Sequence, residues 1–214
     1  MPDDAATDPM PATRKGRETR QRIIEAAAQL VYEGTVAGVS LDEVCRATST
    51  SKSQLYHYFS DKDDLVHAVI DHERERVLGF HRPALESLTT WDDIQRWRDM
   101  VVGAQAARAC RGGCPLGSLA SELADLDEPS RTRLAHAFMA WEQLLSDGLA
   151  KMVEAGSLRA DADAKDLALG VIASLQGGLL LAEIERSIRP LEVALDAAIA
   201  YLRSFAPGVE QSDQ

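Results

Sequence analysis

The chain has 214 residues, a mass of 23.3 kDa and a formal charge of -11, with 45% hydrophobic residues but only 5% aromatic ones. That length holds one or two ordinary domains with a proper core. Ala and Leu together fill 57 positions, Asn none, and Gly plus Pro only 22, which argues against a turn-rich all-β fold and against low-complexity disorder and points to an all-α chain. The acidity speaks against a non-specific hold on nucleic-acid phosphates, yet the charge is uneven. Residues 14–62 carry eight Lys or Arg against six acids, whereas residues 1–13 sum to -3 and residues 63–214 to -10.

Three cysteines (Cys45, Cys110, Cys114), with no apolar leader at the start, are expected to be free thiols in a reducing cytoplasm. Residues 1–14 read as an acidic, Pro-rich disordered tail and residues 209–214 as a second tail. The longest uncharged stretch, 167–182, is 16 residues and includes Gly177-Gly178. It predicts a mostly buried helix and no membrane partner.

In chain order, Ile23, Ile24, Ala27, Leu30 and Val31 form a helical stripe from about Arg17 to Glu33, ended by Gly34. Ser40-x-x-Glu43 has capping-box form and opens a short helix to Ala47, broken by Thr48-Ser49-Thr50. Ser51-x-x-Gln54 repeats the pattern and opens a helix ending near Phe59, and Ser60-x-x-Asp63 caps a third start. A long helix then runs to Pro83 or slightly beyond. Further helices are predicted over about 91–109, 116–126, 129–156, 162–186 and 190–206, nine in all with no strand.

Residues 40–59 have the dimensions of a helix-turn-helix: two short helices about a tight polar connection. Leu55 and Phe59, four apart, share a face and point to a core with Leu41, Val44 and Cys45, which leaves Lys52, Ser53 and Gln54 as exposed readers. Gln suits adenine, Lys the acceptors of guanine, and a Ser hydroxyl either base. Gln54 has a competing use, because as the third residue of its helix it can fold back onto the cap.

The run 51–59 (SKSQLYHYF), followed by 61–65 (DKDDL), resembles the recognition helix and next helix start of TetR-family transcriptional regulators, and the likeness spans about 17–77 in detail. Ser49 stands where that family usually has Gly, and Cys45 where it usually has Ala. The resemblance implies a DNA-binding domain over 15–62 and a ligand-binding and dimerisation domain over 63–208. Carried onto matching positions, Lys52, Ser53 and Gln54 would read bases in the major groove, with Tyr56 at bases or backbone. Ser40, His57 and Lys62 would hold phosphates, the first and last helped by their helix N-termini; Ser51 is a further DNA-binding candidate, and Arg17 and Arg20 would reach the backbone or minor groove. Plain surface exposure is the alternative reading for His57, and a solvated face for the basic residues; Tyr58 and Phe59 are read as structural.

The stretch 112–122 (GGCPLGSLASE) resembles the LmrA/YxaF-like branch of the family, which implies a regulator released from a double-stranded DNA operator by an apolar or aromatic effector. Candidate pocket residues are Trp97, Met100, Val101, Phe138, Trp141 and Leu145, whose spacing equally suits a core stripe. Leu175, Leu179, Ala182, Leu191, Leu195, Ala198 and Leu202 are expected to form a homodimer interface, a four-helix bundle shared by two protomers.

Enzyme motifs are missing. Residues 112–117 have P-loop glycine spacing, but Ser118 replaces the Lys, and Arg76 stands where a zinc-protease helix starting at His72-Glu73 needs its second His. No cofactor or metal is expected. Two alternatives remain: a thiol switch at Cys110 and Cys114, flanked by Arg108 and Arg111, and a helical interaction protein without DNA binding.

Overall fold

A computed structural model describes residues 13–207, so the two predicted tails lie almost entirely outside the described residues. Among these residues the chain forms nine α-helices and no strand: α1 Arg14–Glu33, α2 Leu41–Thr48, α3 Lys52–Tyr58, α4 Lys62–Glu86, α5 Trp91–Ala107, α6 Pro115–Leu123, α7 Glu128–Glu154, α8 Ala164–Glu185 and α9 Arg189–Arg203. The first helix starts inside the segment read as tail, because the Thr13 side chain caps it by accepting from the Gly16 N–H.

The chain divides into two compact units, one reaching His72 and the other starting at Glu73. This division lies between the end of the helix-turn-helix expected over 15–62 and the end, near 77, of the wider family likeness. The opening turns of α4 carry Leu65, Val66, Val69 and Ile70, all buried, and with Ala27, Val36 and Val44 they close the core of the first unit.

Capping defines the short helices of the first unit. At α2 the Ser40 hydroxyl accepts from the Glu43 N–H while the Glu43 carboxylate accepts from the Ser40 N–H at 2.8 Å. The same reciprocal pair forms between Ser51 and Gln54 at α3. At α4 the cap falls one residue later than its sequence suggests: Asp61 accepts from the Asp64 N–H, and Asp64 reaches back to the Ser60 N–H. Between α2 and α3 the chain turns at Ser49 with φ 53° and ψ 37°, the left-handed conformation that Gly adopts without strain. The polar turn is itself packed, since Thr48 and Thr50 are buried and their hydroxyls join at 2.6 Å.

In the second unit α8 packs mainly on α9 and α7, and α5 meets α9 through the Arg98 guanidinium, which donates to both oxygens of Asp196. Thr90 and Asp93 form a further capping box at α5. Gly178 sets the α8–α9 approach: a Cβ there would lie 2.9 Å from the Ala194 Cβ and 3.0 Å from the Leu191 Cα. Gly177, one residue away, has open space. Among the described residues α8 is the one helix long and apolar enough to cross a membrane, but eight of its residues are buried against its neighbours.

This packing corrects the expected dimer interface. Leu175, Leu179, Ala182, Leu191, Leu195, Ala198 and Leu202 are each at most 7% exposed within the single chain. They are the α8–α9 core and are not available to a partner. Helical spacing located an apolar stripe but not its occupant, because spacing alone does not say whether such a stripe is buried inside the chain, as these seven residues are, or against a partner.

Candidate functional site

The α3 helix is anchored through Leu55, 1% exposed, and the Phe59 that follows it, 0% exposed. That anchoring turns Ser51, Lys52, Ser53, Gln54, Tyr56 and His57 outward together, and all six are exposed. The Phe59 ring also carries the Arg20 guanidinium, 5.0 Å from its centroid, which ties the start of α1 to the end of α3. Lys62, the first residue of α4, donates to the Ala37 carbonyl at 3.3 Å, while Arg17 is exposed on the first turn of α1. The residues expected to meet DNA thus all belong to one unit.

Of the three residues expected to read bases, Lys52 and Gln54 are engaged within the chain. The Gln54 Oε1 accepts from the Ser51 N–H at 3.2 Å, so the capping role raised as an alternative is the one occupied in the unbound protein, and only the Nε2 group remains to donate. Lys52 pairs with Asp42 of α2 at 2.8 Å, and that carboxylate raises the Lys52 pKa by hydrogen bonding and charge. Asp42 is a residue that the sequence reading missed. Its signal was present, as an acid in the first turn of a capped helix, where it also complements the helix dipole.

A cavity of about 260 Å³ opens in the second unit among α4, α5, α7 and α8, with Val101, Trp141, Leu175 and Leu179 among its walls. Of the six residues expected there, Val101 and Trp141 line it and Phe138 lines an adjoining space of about 340 Å³. Trp97, Met100 and Leu145 line neither; Trp97 and Leu145 are fully buried core. Leu175 and Leu179, expected at a dimer face, are cavity wall instead.

The cavity also gathers Arg76, Val77, Phe80 and His81 from α4 and Arg108 from the end of α5. None of these five was singled out as a pocket residue, although 76, 77, 80 and 81 follow helical spacing. His81 is 5% exposed, and its Nδ1 accepts from the Trp97 Nε1–H at 3.0 Å. Burial lowers its pKa to about 4, so the ring is neutral at physiological pH. Its ring lies 4.7 Å from that of Trp141, whose own Nε1 is buried with no hydrogen-bond partner among the described residues.

The loop from α5 to α6 crosses the rim of this cavity with Ala109, Cys110, Gly112 and Gly113 all at positive φ. The Glu183 carboxylate accepts from the Gly112 N–H and the Arg186 guanidinium donates to the Cys110 carbonyl, so side chains at the end of α8 hold the loop. Cys110 and Cys114 are both buried. Burial raises the Cys114 pKa, the reverse of what a reactive thiolate needs. Among the described residues no group of three His, Cys, Asp or Glu is placed to hold a metal.

An exposed reading helix after a capped short helix, on an all-helical body, defines a helix-turn-helix regulator. Residues 23–69 match the family described as bacterial regulatory proteins, tetR family, and residues 92–198 match the tetracyclin repressor-like C-terminal domain. An uncharacterized HTH-type transcriptional regulator from the lacX 3' region of Lactococcus lactis is 31% identical over 188 residues, 84% of this chain and 91% of that protein. The uncharacterized HTH-type regulator YxaF of Bacillus subtilis is 24% identical, over 81% of this chain and 90% of its own. The solved structure of a TetR transcriptional regulator from Chloroflexus aurantiacus superimposes with a TM-score of 0.78 at 30% identity, over 88% of this chain and 96% of that one. The chain belongs to the tetR family of bacterial regulators, and it is a DNA-binding transcriptional regulator and not an enzyme.

Proposed function

We propose that this regulator is a homodimeric cytoplasmic repressor that binds a palindromic operator and releases it when a small apolar or aromatic molecule occupies the cavity of the second unit. The observation that carries the reading is the outward face of α3, with Lys52, Ser53, Gln54 and Tyr56 presented side by side above a buried Leu55. Base reading by Lys52 requires exchanging Asp42 for a base or phosphate. While its cap persists, Gln54 offers only a donor, which suits N7 or O6 of guanine, N7 of adenine or O4 of thymine. Ser40, Ser51, His57, Lys62, Arg17 and Arg20 are assigned to the sugar–phosphate backbone.

Dimerisation is assigned to a face different from the one expected. Leu169, Leu180 and Ile184 of α8 and Val193 and Tyr201 of α9 are large apolar side chains, between 47% and 69% exposed. They lie on the sides of the two helices turned away from the α8–α9 core. An apolar face of this kind supports a two-fold partner, which would set two recognition helices about 34–36 Å apart. The route from cavity to reading head is α4, which lines the cavity at residues 76–81 and closes the reading unit at 65–70.

Selection of bound DNA from a random pool tests the reading directly, and a recovered inverted repeat is the expected result. On that repeat Lys62→Ala should weaken binding to all sequences alike and lower the salt slope by about 1, whereas Gln54→Ala should relax preference at one base pair per half-site. Equal effects of both variants on selected and random DNA refute the role assignment.

A further inference from the structure

The polar groups of the cavity carry information that its apolar walls do not. Trp141 is 1% exposed and its indole N–H has no acceptor among the described residues, which costs free energy that a ligand oxygen would recover. His81 spends Nδ1 on the Trp97 N–H, so the hydrogen of its neutral ring sits on Nε2, for which no protein acceptor is described. The cavity is therefore supplied with hydrogen-bond donors and short of acceptors.

Its charge points the same way. Two arginines line it, Arg76 and Arg108, and no Asp or Glu does. Arg76 is balanced by Glu73, buried behind the wall, with N–O distances of 2.8 and 2.7 Å. Among the described residues Arg108 donates to the neutral Gln105 Oε1 at 2.6 Å and has no carboxylate partner. Val77, Phe80, Val101 and Leu175 add hydrocarbon wall. A dry cavity of about 150 Å³ accepts one benzene ring, so 260 Å³ has room for a ring and a short arm.

We propose that the cavity binds a small monocarboxylate on an apolar, ring-sized body, with the carboxylate accepting from Trp141 and His81 and balancing the charge of Arg108. A neutral hydrocarbon would leave both N–H groups unpaired, and an organic cation would face two arginines. The proposal deepens the effector reading above and rests on it only for the consequence at the operator.

The test is calorimetric titration of the intact protein at pH 7 with 3-phenylpropanoate, 3-phenylpropan-1-ol and 3-phenylpropylamine, three probes with one body and different head groups. The acid is expected to bind at least tenfold more tightly than the alcohol or the amine. Trp141→Phe, which keeps a ring and removes the N–H, and Arg108→Gln, at an exposed position that does not threaten folding, should each weaken the acid about fivefold or more. Binding of the alcohol should stay within twofold in the arginine variant, and Arg108→Lys should recover part of the loss. The proposal is overturned if the alcohol or amine matches the acid, if the acid does not bind at millimolar concentration, or if Arg108→Gln leaves its affinity unchanged. Operator affinity measured on the same samples separates the two claims: an acid that binds with this head-group dependence yet leaves the operator bound supports the ligand class and refutes only the release mechanism.

Discussion

His81 links the cavity to acid stability, and replacing it by Phe should change how the second unit responds to pH. Its pKa is lowered to about 4 by burial, against about 6.5 in the unfolded chain. Between those values the unfolded state binds a proton that the folded state does not, so stability is fully present above pH 6.5 and is lost as pH falls toward 4. The full loss is about 3 kcal/mol at 1.36 kcal/mol per pKa unit, and about 2 kcal/mol of it falls between pH 7 and pH 5. His81→Phe also strips the Trp97 N–H of its acceptor, a cost of about 1–3 kcal/mol that does not depend on pH. Urea denaturation at fixed protomer concentration, repeated from pH 7 to pH 5, isolates the pH-dependent part as the difference between the wild type and the variant, because every other group cancels. The variant should start less stable and lose about 2 kcal/mol less over that range. Parallel pH profiles would refute the buried neutral histidine.

Other consequences are local. Ser49→Gly should stabilise the first unit by about 1 kcal/mol in thermal or urea unfolding, since the turn residue is already left-handed, and should leave operator affinity unchanged. Gly148→Ala should destabilise, because its Cβ would sit 2.8 Å from the Leu85 carbonyl oxygen, and overpacking of about 1–3 kcal/mol outweighs a helix-propensity gain of about 1. Gly103→Ala, with open space around it in α5, should stabilise by up to about 1 kcal/mol; the opposite order of the two variants would be decisive against these contacts. Asp42→Asn should free Lys52 and tighten operator binding several-fold at low salt, a gain that shrinks as salt is added and is read by fluorescence anisotropy. Ile184→Glu combined with Leu180→Glu should give a folded monomer in sedimentation, and a retained dimer mass would move the interface elsewhere.

Much of the reading unit was legible because its signals are local. A capping box needs two residues three apart, and the pairs Ser40–Glu43, Ser51–Gln54 and Thr90–Asp93 all form as their spacing predicts. The outward face of α3 follows from Leu55 and Phe59 being four apart and buried. The cavity was only half legible: Val101 and Trp141 reach it, but Trp97, on the same α5 stripe, is used instead to hold the His81 ring. Periodicity reports which side of a helix avoids water, and it is blind to whether that side meets a neighbour, an empty space or a second protein.

The charge of -11 shows the same division. Sequence alone determined that the basic residues sit at the head and the acids on the body, and it determined the helices, the caps of α2, α3 and α5 and the family, because composition, short-range spacing and motif register survive without tertiary contacts. Tertiary structure decided that Lys52 is held by Asp42, that Gln54 is spent on its own helix, and that the α8–α9 stripe is core while Leu180, Ile184 and Tyr201 face outward. The physical reason is that pairing and burial are exclusive: a carboxylate, a donor or an apolar face can satisfy one partner at a time, and which partner wins is a matter of distance in the folded chain.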